Sequence, residues 1–226
     1  MSIWRRIADA VSALRQGESL STVFDRLRAP PERTVAFTIA VIALGAKMAK
    51  ADGRVTRDEV AAFREVFRLA PEEERNAARV FDLARQDVAG YEAYARRIRA
   101  MFGAGSPTLC DLMEGLFHIA LADGAYDPRE DDFLARVAEI FGLPEREFRA
   151  LRARFVPEGR DPYTVLGVTP EADLDEIRAA WRRQVRETHP DVMLARGVPE
   201  EAIRLAERRM QDINRAWEEI RAERAA

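Results

Sequence analysis

From Ile203 to Ile220 the apolar residues Ile203, Ala206, Met210, Ile213, Trp217 and Ile220 recur alternately three and four positions apart. An α-helix turns about 100° per residue, so this spacing lines one face of a helix and no face of a strand. The same period runs through almost every segment of the chain, and no stretch alternates as a half-buried strand does. Glycine and proline clusters punctuate the periodic runs. The expected fold class is therefore all-α. Helices with one apolar face must bury it against one another, which predicts bundles and hairpins.

The 226 residues suffice for one or two domains with cores of their own. Acidic and basic side chains nearly balance, at a formal net charge of -3, which argues against a protein that coats nucleic acid. Cys110 is the single cysteine, so neither an intramolecular disulfide nor a multi-cysteine zinc site can form. That usage fits a reducing compartment, and a cytoplasmic location is expected. Arg5 and Arg6 stand near the N-terminus, but Asp9 interrupts the apolar core that a secretory signal needs. The most apolar run, Val35 to Ala46, is shorter than the roughly 20 residues that cross a bilayer, and Lys47 and Lys50 follow it. It reads as a buried core helix.

Four segments follow from punctuation and pattern. Residues 1–29 carry an amphipathic stretch in which Ile3, Trp4, Ile7, Val11 and Leu14 share a stripe flanked by Arg5, Arg6 and Arg15. The favoured reading packs this stripe on its own domain or a partner. The other lays it on an anionic membrane, peripheral at the inner membrane. Residues 30–155 form a helical unit with a weak internal repeat, in which the run from Ala49 to Glu59 matches the run from Ala120 to Glu130. Met48, Phe63 and Val66 of the first copy correspond to Ile119, Leu134 and Val137 of the second. Each copy reads as helix, Asp-Gly turn, helix, and two such hairpins bury faces that neither could bury alone. Residues 156–160 are a Pro- and Gly-containing linker, and residues 161–226 are a separate helical unit.

Candidate chemistry in the first unit is sparse. Asp52 and Glu59 in one turn, and Asp123 and Glu130 in the other, are carboxylates of the kind a hard divalent cation takes. The competing reading is local: Thr56 to Glu59 and Asp127 to Glu130 each spell a helix start, with glutamate where a capping box wants it. The spacing also departs from the twelve-residue calcium loop. Capping is favoured, and no cofactor is expected beyond that candidate metal. Cys110 and His118 lie eight residues apart on one helix, about 12 Å along its axis, too far to act as nucleophile and base. No glycine-rich phosphate loop is present, so no nucleotide site of its own is expected.

The C-terminal unit is more specific. Asp161 caps a short helix with Pro162 at its first position and Gly167 at its end. Asp173 and Glu176 have capping-box spacing, and Leu174, Ile177, Trp181 and Val185 form the inward stripe of the helix they open. Arg182, Arg183 and Arg186 fall on its outer side. Pro190 disfavours helix at His189 and ends the run. His189, Pro190 and Asp191 thus sit at the tip of a two-helix hairpin, braced by the short helix, with an arginine face running up to them. Gln211 to Trp217 reads Gln-Asp-Ile-Asn-Arg-Ala-Trp on the return helix.

With those residues in that order, positions 161–223 resemble a J domain throughout, the part of a co-chaperone that acts on a DnaK-type chaperone. The resemblance implies that His189, Pro190 and Asp191 are the essential loop and that Arg182, Arg183 and Arg186 form the electrostatic docking face. Where the family often has Tyr-Arg-Lys, this chain has Trp181-Arg182-Arg183. The extended loop from Val192 to Glu200, with Gly197-Val198-Pro199, is similar to that of the DjlA-like subgroup, whose members also carry a TerB-like helical domain before the J domain. Residues 32–155 resemble that domain through the paired Asp-Gly turns. The typical DjlA-like protein has an N-terminal membrane span, and no run of that length is seen here. The resemblance implies a partner activated allosterically, with no catalysis by this chain itself. With no Gly/Phe-rich stretch and no Cys-rich zinc module in the sequence, the expectation is a specialised co-chaperone in which residues 1–155 choose place or client or self-associate. The alternative from another class is a helical scaffold of stress response, metal-responsive through the Asp-Gly turns, without chaperone activation.

Overall fold

The structure is a computed structural model that describes residues 7, 13, 32–52, 90–121, 126–156 and 160–225, with the backbone alone for 32–34, 49–52 and 201. All regular structure in the described residues is helical, as the apolar periodicity requires. Helix α1 spans Glu32–Asp52, α2 Tyr91–Phe102, α3 Pro107–Ala120, α4 Pro128–Phe141 and α5 Glu145–Phe155. The C-terminal unit follows with α6 Pro162–Leu166, α7 Leu174–Glu187, α8 Pro190–Ala195, a 3-10 turn Glu200–Ala202 and α9 Ile203–Ala225.

Helix α1 is apolar around its whole circumference and forms the centre of the first unit. Val35 to Met48 are buried all round, including Thr38 and Lys47, and α2, α3 and α4 pack about them. The 21-residue helix is a core element, and among the described residues no helix is long and apolar enough to cross a membrane. Ile7, from the N-terminal stripe, is fully buried in this same core, with Ala13 packed against it. The rest of that stripe lies outside the described residues. Of the repeat, Met48, Ile119, Leu134 and Val137 are all buried together, whereas Phe63 and Val66 lie outside the described residues.

Helix α4 starts as its sequence predicts. The Asp127 carboxylate accepts from Arg129 N at 2.7 Å, and Asp127 N donates to Glu130 Oε2 at 3.2 Å, a complete capping box. Glu130 is thereby engaged by its own helix terminus. Asp123, Glu59 and the side chain of Asp52 lie outside the described residues. Among the described residues no group of three or more His, Cys, Asp or Glu side chains is placed to hold a metal.

The two units are not beads on a string. Met193, Val198, Ala202, Leu205 and Ala206 belong to the same buried cluster as α1 to α4. Val41 and Leu205 both lie within 4.0 Å of where a Cβ on Gly115 would stand, so the missing side chain leaves room for α1 and α9 to approach α3. A second core, around Tyr163, Leu166, Ile177, Ile213, Trp217 and Ile220, closes the C-terminal hairpin, and Ala153 of α5 packs against it. Helix α9, at 23 residues about 35 Å long, serves both cores: its first turns face α3, its last turns face α6 and α7.

Charge joins the units as well. Arg209 of α9 reaches Glu114 Oε2 with Nε at 2.6 Å and Asp111 Oδ1 with Nη2 at 2.7 Å. Arg154 of α5 contacts the other Glu114 oxygen at 3.4 Å, and the Arg196 guanidinium lies 4.0 Å from Asp111 Oδ2. The Asp111 and Glu114 side chains are 0% and 2% exposed, so the cluster is enclosed between the units. Burial lifts the Asp111 carboxyl above its ordinary range, and Arg209 offsets part of that lift. The carboxylates hold Arg209 firmly protonated despite its own burial. Thr108 Oγ1 adds a hydrogen bond to the Arg196 carbonyl at 3.3 Å.

A buried carboxylate stripped of its partner costs far more than an exposed pair contributes. Arg209→Met should lower stability in urea unfolding by about 3–5 kcal/mol. Arg215→Met, which breaks the exposed pair with Glu219, should change it by less than about 1 kcal/mol.

Candidate functional site

Helix α6 is held as its sequence suggests. Asp161 accepts from Tyr163 N at 3.3 Å and Thr164 N at 2.8 Å, and Gly167 closes the helix at φ 63°. Helix α7 opens on a full capping box, with Glu176 N donating to Asp173 Oδ1 at 2.7 Å and Asp173 N to Glu176 Oε2 at 3.2 Å. Gln184 Nε2 donates to the Leu166 carbonyl at 2.8 Å, tying α7 to the end of the brace. Trp181 stacks on Trp217 with ring centroids 5.4 Å apart and donates from its indole nitrogen to Asn214 Oδ1 at 2.8 Å. The Asn and Trp of the Gln211–Trp217 stretch thus register α9 against α7.

The expected inward stripe of α7 needs one correction. Ile177 is fully buried and Trp181 and Val185 pack on the core, but Leu174 is 39% exposed. It is the first residue after the cap, where no neighbouring helix covers it. Ala180 takes a buried place instead.

Helix α7 ends at Glu187, and the tip follows at once. His189 is the N-cap of the short helix α8, with Pro190 at its first position. Asp191 N donates to His189 Nδ1 at 3.2 Å, and the Asp191 carboxylate lies 3.6 Å from the same nitrogen. A neutral ring that accepts at Nδ1 carries its proton at Nε2. The His189 and Asp191 side chains are 58% and 86% exposed, yet the flanking Thr188 and Met193 are buried. The tripeptide is therefore an exposed edge on an anchored support. Of the stretch from Val192 to Glu200, expected as a loop, the part up to Ala195 belongs to helix α8, with Val192 and Leu194 facing solvent and Met193 facing the first unit's core, and residues 196–199 are non-helical.

Arg182, Arg183 and Arg186 are all exposed on α7. None has a carboxylate partner among the described residues, whereas Arg178 of the same helix pairs with Asp175 at 3.2 Å. The geometry thus brings the tripeptide and the three arginines to adjoining surfaces of one hairpin end.

Other candidates resolve differently. Cys110 and His118 are both on α3 and do not meet. Cys110 Sγ lies 3.6 Å from Glu147 Oε2, and burial, helped by the Glu147 and Asp111 carboxylates, pushes its thiol up to about 12. The His118 ring lies edge-on to Phe155 and against the Arg208 guanidinium. The Asp111–Glu114–Arg209 cluster escaped the sequence reading. Its signal was two acids three residues apart on the largely apolar stretch from Leu109 to Ala120.

Family models match the chain twice, "Tellurite resistance protein TerB" over residues 38–153 and "DnaJ domain" over residues 161–225. The chain is 30% identical over 199 residues to the co-chaperone protein DjlA of Coxiella burnetii, covering 79% of this chain and 74% of that one. It is 29% identical over 220 residues to DjlA of Photobacterium profundum, covering 85% and 79% of the two chains. With DjlA of Shewanella oneidensis it shares 27% over 224 residues, covering 92% and 84%. No solved structure matches the chain. A TerB-type helical unit followed by a J domain defines the class, a J-domain co-chaperone. The chain belongs to the DjlA family of such proteins.

The raised Cys110 thiol predicts slow alkylation, because only the thiolate reacts. Labelling of the native chain near neutral pH should be slower than in denaturant by roughly two orders of magnitude or more. Its rate should keep rising past pH 9 instead of levelling there, as an ordinary thiol of pKa 9.0 would.

Proposed function

We propose that the chain binds a DnaK-type chaperone and stimulates its ATPase through His189, Pro190 and Asp191, with Arg182, Arg183 and Arg186 as the electrostatic docking face. The observation that carries this reading is the exposed His189–Asp191 edge between the buried Thr188 and Met193. Such an edge can be offered to a partner without first being ordered, so less conformational entropy is lost on docking. The arginines beside it, which hold no carboxylate among the described residues, suit an acidic surface, to which they bring orientation and speed of encounter.

His189 acts here as a contact group. Its Nε2–H is available to a partner acceptor, while its Nδ1 is engaged by Asp191 N. Asp191 offers its exposed carboxylate to a basic group on the partner. Neither residue transfers a proton. The chaperone performs the hydrolysis, and the J domain favours the chaperone state in which hydrolysis proceeds. A ligand shifts such an equilibrium only by its differential affinity for the two states. Residues 1–155 then have the task of choosing place or client.

Single-turnover ATP hydrolysis by the organism's own DnaK-type protein tests this. Wild type should accelerate it, and His189→Gln and Asp191→Asn should each remove most of the acceleration with melting temperature unchanged. Equal stimulation by wild type and His189→Gln would sink the proposal. Stimulation by wild type should also fall as salt rises, because the Debye length shrinks to about 3 Å at 1 M.

A further inference from the structure

Helix α5 of the TerB-type unit packs on α6 of the J domain and faces α7 across the clefts between them. Two clefts, of about 350 and 540 Å³, open along that junction, and Arg146, Gly167 and Arg183 line both. The Arg146 side chain lies across the end of α6. A Cβ added at Gly167 would be 3.8 Å from Arg146 Nε. Arg149, one turn on, lines the second cleft together with Arg183.

Position around α7 decides which surface these arginines join. At about 100° per residue, Arg182, Arg186 and Arg183 span about 100° of the circumference. Arg183 is the member at the edge facing α5, since Ala179 and Glu176 on the same side line the second cleft as well. Arg146 therefore continues the row across the domain boundary.

Pairing separates this row from neighbouring arginines of α5, α7 and α9, among them Arg149, whose guanidinium lies 3.6 Å from Glu145. Arg178, Arg215 and Arg221 each hold a carboxylate on their own helix. Arg146, Arg182, Arg183 and Arg186 hold none among the described residues, and all four are exposed. Adjacent like charges repel, so folding gains nothing from leaving them together. An external anionic surface relieves that repulsion.

We propose that Arg146 of the TerB-type unit is part of the docking surface for the acidic face of the chaperone, so that the binding site is shared by the two units and is not confined to the J domain. This rests on the docking proposed above and extends its footprint. The buried Arg209 cluster makes the extension workable, because it fixes α9 to α3 and with it the J domain to the unit that carries α5. A freely tethered J domain could not hold Arg146 in register with Arg183.

The test uses the full chain and titrates each variant into the chaperone ATPase at low salt. Arg146→Glu should raise the half-saturating concentration about three- to tenfold, the scale of one or two exposed charge interactions. Maximal stimulation should stay unchanged, since His189 and Asp191 are untouched. Arg146→Lys should behave as wild type, and Arg97→Glu on the exposed face of α2 should have no effect. The Arg146→Glu deficit should close at about 0.5 M salt, where screening acts within about 5 Å. If Arg183→Glu is impaired but Arg146→Glu matches Arg97→Glu, the shared surface is wrong while the docking stands. If wild type gives no stimulation, both fall. If Arg146→Glu leaves stimulation intact but abolishes binding to vesicles containing anionic lipid, the row serves a membrane and the proposal is overturned.

Discussion

The side chain of Arg209 is the joint on which the arrangement of the two units depends. It leaves the J domain's return helix and ends between Asp111 and Glu114 of the TerB-type unit, where water is excluded. Burying such a group is costly, and the cost is recovered only in a geometry that satisfies it. An apolar seam alone tolerates sliding. A guanidinium that must meet two carboxylates at once does not, so the cluster supplies register where Leu205 and Ala206 supply adhesion.

From that register follows the presentation of the tip. Met193 and Val198 are packed in the first unit's core, so helix α8 is held from behind while His189 and Asp191 stand in front. The J domain's own core holds the other end, through the Trp181–Trp217 stack and the Gln184 hydrogen bond to α6. The tripeptide is thus supported by two different cores. The TerB-type unit is a structural part of the hairpin end, beyond any role it has in choosing a client or a place.

Much of the J domain was legible from local rules. The caps at Asp161 and Asp173, the end of α7 before Pro190 and the outward arginines all depend on residues within a turn of each other, and each took the expected form. The hairpin seam was half legible. Ile213, Trp217 and Ile220 do face the J core, whereas Ala206 of the same stripe, with the neighbouring Leu205, belongs to the other core. Helical periodicity says which residues share a face, but a helix about 35 Å long can lay one face on two partners in succession. Leu174 failed for a related reason, since a stripe does not say where its neighbour stops.

By itself, then, the chain's order of residues determined an all-α protein, the capped helices of the J domain and the tripeptide between them. Those features are set by dihedral preference, capping and period, which act over a few residues. Only the tertiary structure decided that the units share a core, that Asp111 and Glu114 face Arg209 across almost a hundred positions, and that Arg146 adjoins the arginines of α7. Such pairings depend on which surfaces meet when several apolar faces compete for burial, and no local spacing records that outcome.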